Sequence, residues 1–142
     1  MILVLNIINK QKAEWLLLRN KKIIYRLAFK LDFDKDQILS KLFVLLKKNK
    51  LSISKIKAFI LLFQEGSLTQ IKVSTATINA LAWCSGAKVY ADYNFRGELS
   101  DSLVKILSKL DKIKKFKALR VVYARKPEIT ISQKKHKFTI MK

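Results

Sequence analysis

Gly66-Ser67-Leu68-Thr69-Gln70-Ile71-Lys72-Val73-Ser74-Thr75-Ala76-Thr77-Ile78-Asn79-Ala80-Leu81-Ala82-Trp83 is the stretch on which the fold turns. Ile71, Thr75, Ile78 and Ala82 recur at helical spacing. Ser67 or Thr69 can cap the start, and Gly86 is a natural stop. Ser74, Ala76, Ala80 and Ala82 are small, which allows close approach to a sheet or to another helix. On either side lie short apolar runs, Lys57 to Phe63 and Lys88 to Ala91, that read as strands. Strand, helix and strand in that order imply parallel pairing through a right-handed crossover.

Toward the N-terminus the period changes. Ile2 to Leu5 is a continuous branched and leucine run, the pattern of a strand buried on both faces. Glu14 to Leu18 is a second apolar run. Ile23 to Phe29 is a third, with Ile24, Arg26, Ala28 and Lys30 on one side. Tight polar breaks between them predict an antiparallel meander. Asp34 and Asp36 then suit a helix start, and Ile38, Leu42, Leu45 and Leu46 give one helix face ending near Lys48. Leu39 and Phe43 widen that apolar face beyond one stripe, as a second packing partner would require.

Toward the C-terminus, Asn94 to Glu98 is a loop. Ser100 to Phe116 is a further helix carrying Leu103, Leu107 and Leu110, and Leu119 to Tyr123 is a strand or extended segment. The expected fold is α/β. It has a three-strand antiparallel meander followed by helix, strand, helix and strand, the arrangement of an actin-like or ribonuclease-H-like lobe. Residues 1–92 are expected to form that lobe, and 93–142 one helix plus a basic C-terminal segment, which the family resemblance given below implies is a truncated remnant of a second lobe.

The chain has 142 residues, of which half are hydrophobic, enough apolar material for a core in one domain. Lys and Arg number 30 against ten acids, giving +20. Eleven of the bases and a single acid, Glu128, fall between Lys112 and Lys142. An acidic partner such as RNA, DNA, an anionic membrane or an acidic protein would match this charge. A solvated basic surface would match it equally. No run approaches the ~18 apolar residues of a spanning helix, so the expectation is a cytoplasmic protein.

Chemistry is excluded by what is scarce. One cysteine, Cys84, and one histidine, His136, give no zinc site and no disulfide, and little basis for a nucleophile with its base. A nuclease of this architecture needs carboxylates converging on divalent metal. The first strand carries Asn6 instead of an acid, and only Asp92 follows a strand where a catalytic acid belongs. A phosphate cradle needs glycines before a helix. Gln64-Glu65-Gly66 offers one glycine beside an acid that repels phosphate. No cofactor or metal is expected.

The segment 66–83 resembles the signature of the bacterial TsaB (YeaZ) family. Leu51-Ser52-Ile53-Ser54-Lys55-Ile56-Lys57-Ala58 resembles the family's lead into the following strand. Met1-Ile2-Leu3-Val4-Leu5 fits its opening, and Val122-Tyr123-Ala124-Arg125-Lys126-Pro127-Glu128-Ile129-Thr130 its close. The resemblance implies an actin-like (ASKHA) fold and a non-catalytic dimerisation subunit in the synthesis of threonylcarbamoyladenosine at position 37 of tRNA. The implied partners are a TsaD-like catalytic paralogue and a TsaE-like ATPase. Pairing would use the helices Gln37 to Lys48 and Thr69 to Ser85. The residues expected at that interface are Leu39, Phe43, Leu46, Ile71, Ser74, Ile78 and Asn79, with a homodimer as the form in isolation. The family's opening Asp-Thr-Ser is Asn6-Ile7-Ile8 here, its Gly-Pro-Gly loop is Gln64-Glu65-Gly66, and its Thr-Gly-Leu-Arg step is Thr69-Gln70-Ile71-Lys72. No ATP binding is therefore expected.

The basic residues Lys112, Lys115, Arg125, Lys126, Lys134, Lys135 and Lys137 are candidates for tRNA phosphate contacts. The alternative function is a basic RNA- or DNA-binding module on the same fold, outside that complex. A scaffold needs exposed apolar or small side chains on its first two helices. A nucleic-acid module needs a coherent basic face.

Overall fold

The structure is a computed structural model that describes residues 1–32 and 36–122. Five strands form one sheet: β1 (Ile2–Ile7), β2 (Lys12–Arg19), β3 (Lys22–Lys30), β4 (Ala58–Phe63) and β5 (Lys88–Asp92). Their spatial order is β3-β2-β1-β4-β5. β1 to β3 pair antiparallel, while β4 and β5 join β1 in parallel. The meander and the two crossovers read from the sequence are therefore both present. Between β2 and β3 the chain reverses through Asn20 and Lys21, at φ 51° and 65°. Two positive φ values suit a two-residue turn matched to the twist of the strands. The pairing register then shifts between Leu17 and Leu18.

Helices cover both faces. α1 (Gln37–Lys48) and α2 (Leu68–Ser85) lie on one face, and α3 (Leu99–Asp111) on the other. The alternation of the strands divides the core accordingly. Leu3, Leu5, Trp15, Phe59 and Leu61 point to α1 and α2, while Val4, Leu16, Leu18, Ile60 and Leu62 point to α3. β1, β2 and β4 are buried on both sides, which is why they read as unbroken apolar runs. β3, at the edge, alternates and leaves Ile24, Arg26, Ala28 and Lys30 exposed.

Local chemistry sets the helix ends. The Asp36 carboxylate accepts from the Leu39 N–H at 3.2 Å and starts α1. Ser67 and Gln70 form a reciprocal capping box at the start of α2. Gly86 ends α2 at φ 70°, where Ala87 N–H donates back to the Ala82 carbonyl at 2.9 Å. Trp15 is fully buried, and its indole N–H donates to the Ile38 carbonyl at 2.9 Å, fastening β2 to α1. A single 3-10 turn, Ile53–Lys55, precedes β4 and was not legible in the sequence.

α3 stops at Asp111, short of Phe116, and residues 119–122 form no strand. They run as a strap held by Asn79 on α2. The Asn79 amide donates to the Leu119 carbonyl at 3.1 Å, and its oxygen accepts from the Leu119 N–H at 2.7 Å. Phe95, Leu99, Ile106, Leu107 and Leu110 share a core with Val4, Leu16 and Ile60, so α3 packs directly on the sheet.

Candidate functional site: the outward faces of α1 and α2

α2 is apolar or small around its whole circumference, and Lys72 is its one charged residue. Its inward face is Ile71, Ser74, Thr75, Ile78 and Ala82, all buried. The two hydroxyls are satisfied where they sit. Ser74 donates to the Gln70 carbonyl at 2.7 Å, and Thr75 bonds the Tyr93 hydroxyl at 2.8 Å. Burial pushes the Tyr93 phenol up from its ordinary value, opposed by the bond to Thr75. The opposite face carries Thr69, Val73, Ala76, Ala80, Trp83 and Cys84. Val73 is 49% exposed and Trp83 73%. Thr69, Ala76, Ala80 and Cys84 are exposed with them. In a chain of +20, the outward face of this helix is close to uncharged.

α1 presents a mixed outer face. Phe43 is 61% exposed and Val44 41%, next to Lys47 and Lys48. An exposed Phe and Trp on two helices of the same sheet face are costly to leave in water, at about 25 cal/mol per Å² of apolar area. Large exposed aromatics of this kind are the usual anchors of protein interfaces.

The structure sorts the seven interface candidates. Phe43 is exposed on α1 and Leu39 is half-buried beside it. Leu46, Ile71, Ser74 and Ile78 are buried within their own chain. They hold the helices to the sheet, which corrects their assignment as outward contacts. Asn79 is half-buried and committed to the strap at Leu119. The outward face of α2 carries Ala76 and Ala80, read from the sequence as small residues, together with Val73 and Trp83, which were not singled out. Their spacing of three, four and three was visible in the sequence. It was masked because an all-round apolar helix gives no polar side to orient it. Among the tRNA candidates, Lys112 and Lys115 are exposed just past α3. Arg125, Lys126, Lys134, Lys135 and Lys137 lie outside the described residues, as does His136.

The region expected to hold nucleotide in an actin-like lobe is a closed polar row. The buried Asn6 amide donates to the Glu14 carboxylate at 3.1 Å and its oxygen accepts from Gln64 at 3.2 Å. Arg26 reaches the other Glu14 oxygen at 3.7 Å, and Arg96 bonds the Gln64 carbonyl at 2.6 Å. These groups satisfy one another. A Cβ on Gly66 would meet Gln70 Oε1 and the Phe63 ring at 2.7 Å, so this glycine serves close packing between turn and helix cap. Asp92 accepts from the Asn94 N–H at 2.9 Å, a turn contact. Among the described residues no three His, Cys, Asp or Glu side chains gather to hold a metal ion. No described helix is long and apolar enough to cross a membrane.

No family model and no curated protein matches the chain. Solved structures do. YeaZ from Pseudomonas aeruginosa superposes with a TM-score of 0.56 at 16% identity, over 64% of this chain and 42% of that one. An uncharacterised protein with similarity to the peptidase YeaZ, from the same organism, gives 0.53 at 17%, again over 64% and 42%. The chain thus spans less than half the length of either. Over that span the chain shares the YeaZ fold, as the segment around α2 implied.

Proposed function

We propose that this chain is a non-catalytic scaffold subunit that docks a TsaD-like catalytic paralogue on the outward faces of α1 and α2, within a complex that makes threonylcarbamoyladenosine at position 37 of tRNA. A TsaE-like ATPase is the further member of that assembly. The observation that carries the reading is the outward face of α2, nearly uncharged and bearing Val73 and Trp83 in water. The YeaZ fold supports it.

Small residues at Ala76 and Ala80 let a partner helix approach closely, while Trp83 and Phe43 supply the apolar anchors. The site lies in the cytoplasm with its tRNA substrate. Without the paralogue, the same face pairs with a second copy. The test is co-expression with the TsaD-like protein of the same organism, followed by pull-down. The intact chain retains the partner, and Val73→Asp, an exposed position, releases it while the thermal melt stays put. Retention by the Val73→Asp and Phe43→Asp variants alike rejects the assignment.

A further inference from the structure

The topology sorts the charges. β1, β4 and β5 start at one end of the sheet, where β2 finishes and β3 begins. Arg19 pairs with Lys22 across the β2–β3 turn. Ile2 pairs with Leu18, so Met1 lies beside Arg19. The Lys57 N–H donates to the Met1 carbonyl at 2.9 Å, and the Lys88 N–H donates to the Lys57 carbonyl at 3.2 Å. Lys22, Arg19, the amino-terminal Met1 and Lys57 therefore share one register across β3, β2, β1 and the start of β4, while Lys88 lies one residue further along β5, opposite Ala58. At a strand spacing of about 4.8 Å this row is roughly 14 Å long.

The helices extend it. α1 descends to Lys47 and Lys48, and Lys50 follows. α3 ends beside β5, where the Lys88 ammonium donates to the Ile113 carbonyl at 3.1 Å, bringing Lys109 and Lys112 to the same end. Among the described residues, Asp111 is the acid at this end. The other end holds Glu65, Asp92 and Asp101, where β4 and β5 finish and α3 begins. The field is felt locally: burial, then Lys57 and Arg19, hold the Met1 amino group below its ordinary pKa.

We propose that this end of the sheet binds the phosphate backbone of a double-helical RNA stem. A straight row of fixed cations matches a line of phosphates, and strand ends hold it more rigidly than a loop would. None of the row's four residues is aromatic, so it offers no platform for unstacked bases. Their strand neighbours Leu18 and Ala58 are buried, and the one exposed apolar side chain two residues from Lys22, Ile24, is a small wedge for a lipid surface. The choice of RNA over DNA rests on the proposed role in tRNA modification. The surface itself is independent of the α1 and α2 faces.

The test measures binding of the full chain alone to a 16-base-pair RNA duplex by fluorescence anisotropy across a salt series. DNA duplex of the same sequence and phosphatidylserine vesicles are parallel probes. The combined variant Arg19→Gln, Lys22→Gln, Lys47→Gln, Lys57→Gln is expected to bind at least tenfold more weakly at 100 mM salt. Its log–log salt slope should fall by about 3, near 0.7–0.9 for each phosphate no longer neutralised. The variant Lys10→Gln, Lys12→Gln, Lys30→Gln, Lys72→Gln removes the same charge from the opposite end and should leave the slope within about 1 of the parent. If the first variant melts early, the pairs Arg19→Gln, Lys22→Gln and Lys47→Gln, Lys48→Gln each carry half the change. Equal losses for both ends overturn the surface. Tighter binding to vesicles or to DNA than to the RNA duplex overturns the ligand. Partner pull-down with Val73→Asp is a separate measurement, so the scaffold reading and this surface fail independently.

Discussion

α2 and α3 occupy equivalent places on opposite faces of one sheet, and both bury an apolar stripe. α2 tucks Ile71, Ile78 and Ala82 inward, and α3 tucks Leu99, Ile106, Leu107 and Leu110. Their outward faces diverge. α3 shows Asp101, Lys105, Ser108 and Lys109 to solvent, with Val104 as a lone exposed apolar side chain. α2 shows Thr69, Val73, Ala76, Ala80 and Trp83. The sheet dictates the inward residues of both helices by the same packing rule. Among the described residues nothing dictates the outward ones. α3 carries the charged and polar composition of a surface facing water. α2 carries the composition of a surface that is covered.

The comparison is sharpened first on the inward faces, where the two helices should behave alike. Ile78→Ala in α2 and Leu110→Ala in α3 each remove a fully buried side chain, and each should cost about 2–5 kcal/mol of stability by urea unfolding. A large disparity between them would show that one helix is not part of the common core. The outward faces should then separate the helices. Trp83→Asp should weaken association with the proposed TsaD-like partner by ~2 kcal/mol or more, about 30-fold in Kd, with chain stability within ~0.5 kcal/mol of the parent. Titration calorimetry reads the first quantity and urea unfolding the second.

The clasp between α2 and the strap is an intermediate case. Asn79→Ala abolishes both bonds to Leu119, leaving a partly buried N–H and carbonyl without their partner. A loss of about 1–2 kcal/mol is expected, with faster amide exchange at Leu119. Smallest of all, Val104→Asp on α3 should change stability by no more than ~0.5 kcal/mol and leave partner binding untouched. A binding defect from Val104→Asp would break the contrast between the helices and move the interface to the other face of the sheet.

Much of the fold was legible because short-range rules agreed with the tertiary solution. Ile38, Leu42, Leu45 and Leu46 marked the inward face of α1, and all four are buried. Gly86 marked the end of α2, and it takes the left-handed conformation a helix stop requires. The site was harder to read. Ser74 is buried although polar, because its hydroxyl finds carbonyls within its own helix, and no periodicity reveals that. Ile71 and Ile78 were equally apolar inward or outward until the sheet fixed the rotation. The row at Lys22, Arg19, Met1 and Lys57 joins residues far apart in sequence, and only strand register aligns them. The lysines of the tail are closely spaced and legible as a run, whereas the charges of the sheet end are scattered along the chain.

The two tryptophans sit at the extremes of exposure, Trp15 sealed between β2 and α1 and Trp83 at 73% in solvent. Indole emission shifts to the blue in apolar surroundings and to the red in water. The native chain therefore emits two colours from two separate reporters. Unfolding moves the blue component alone, since Trp83 is already wet. Docking on α2 moves the red component alone, since Trp15 is already dry. One emission spectrum thus distinguishes a variant that has lost its fold from one that has lost its partner, with no label attached.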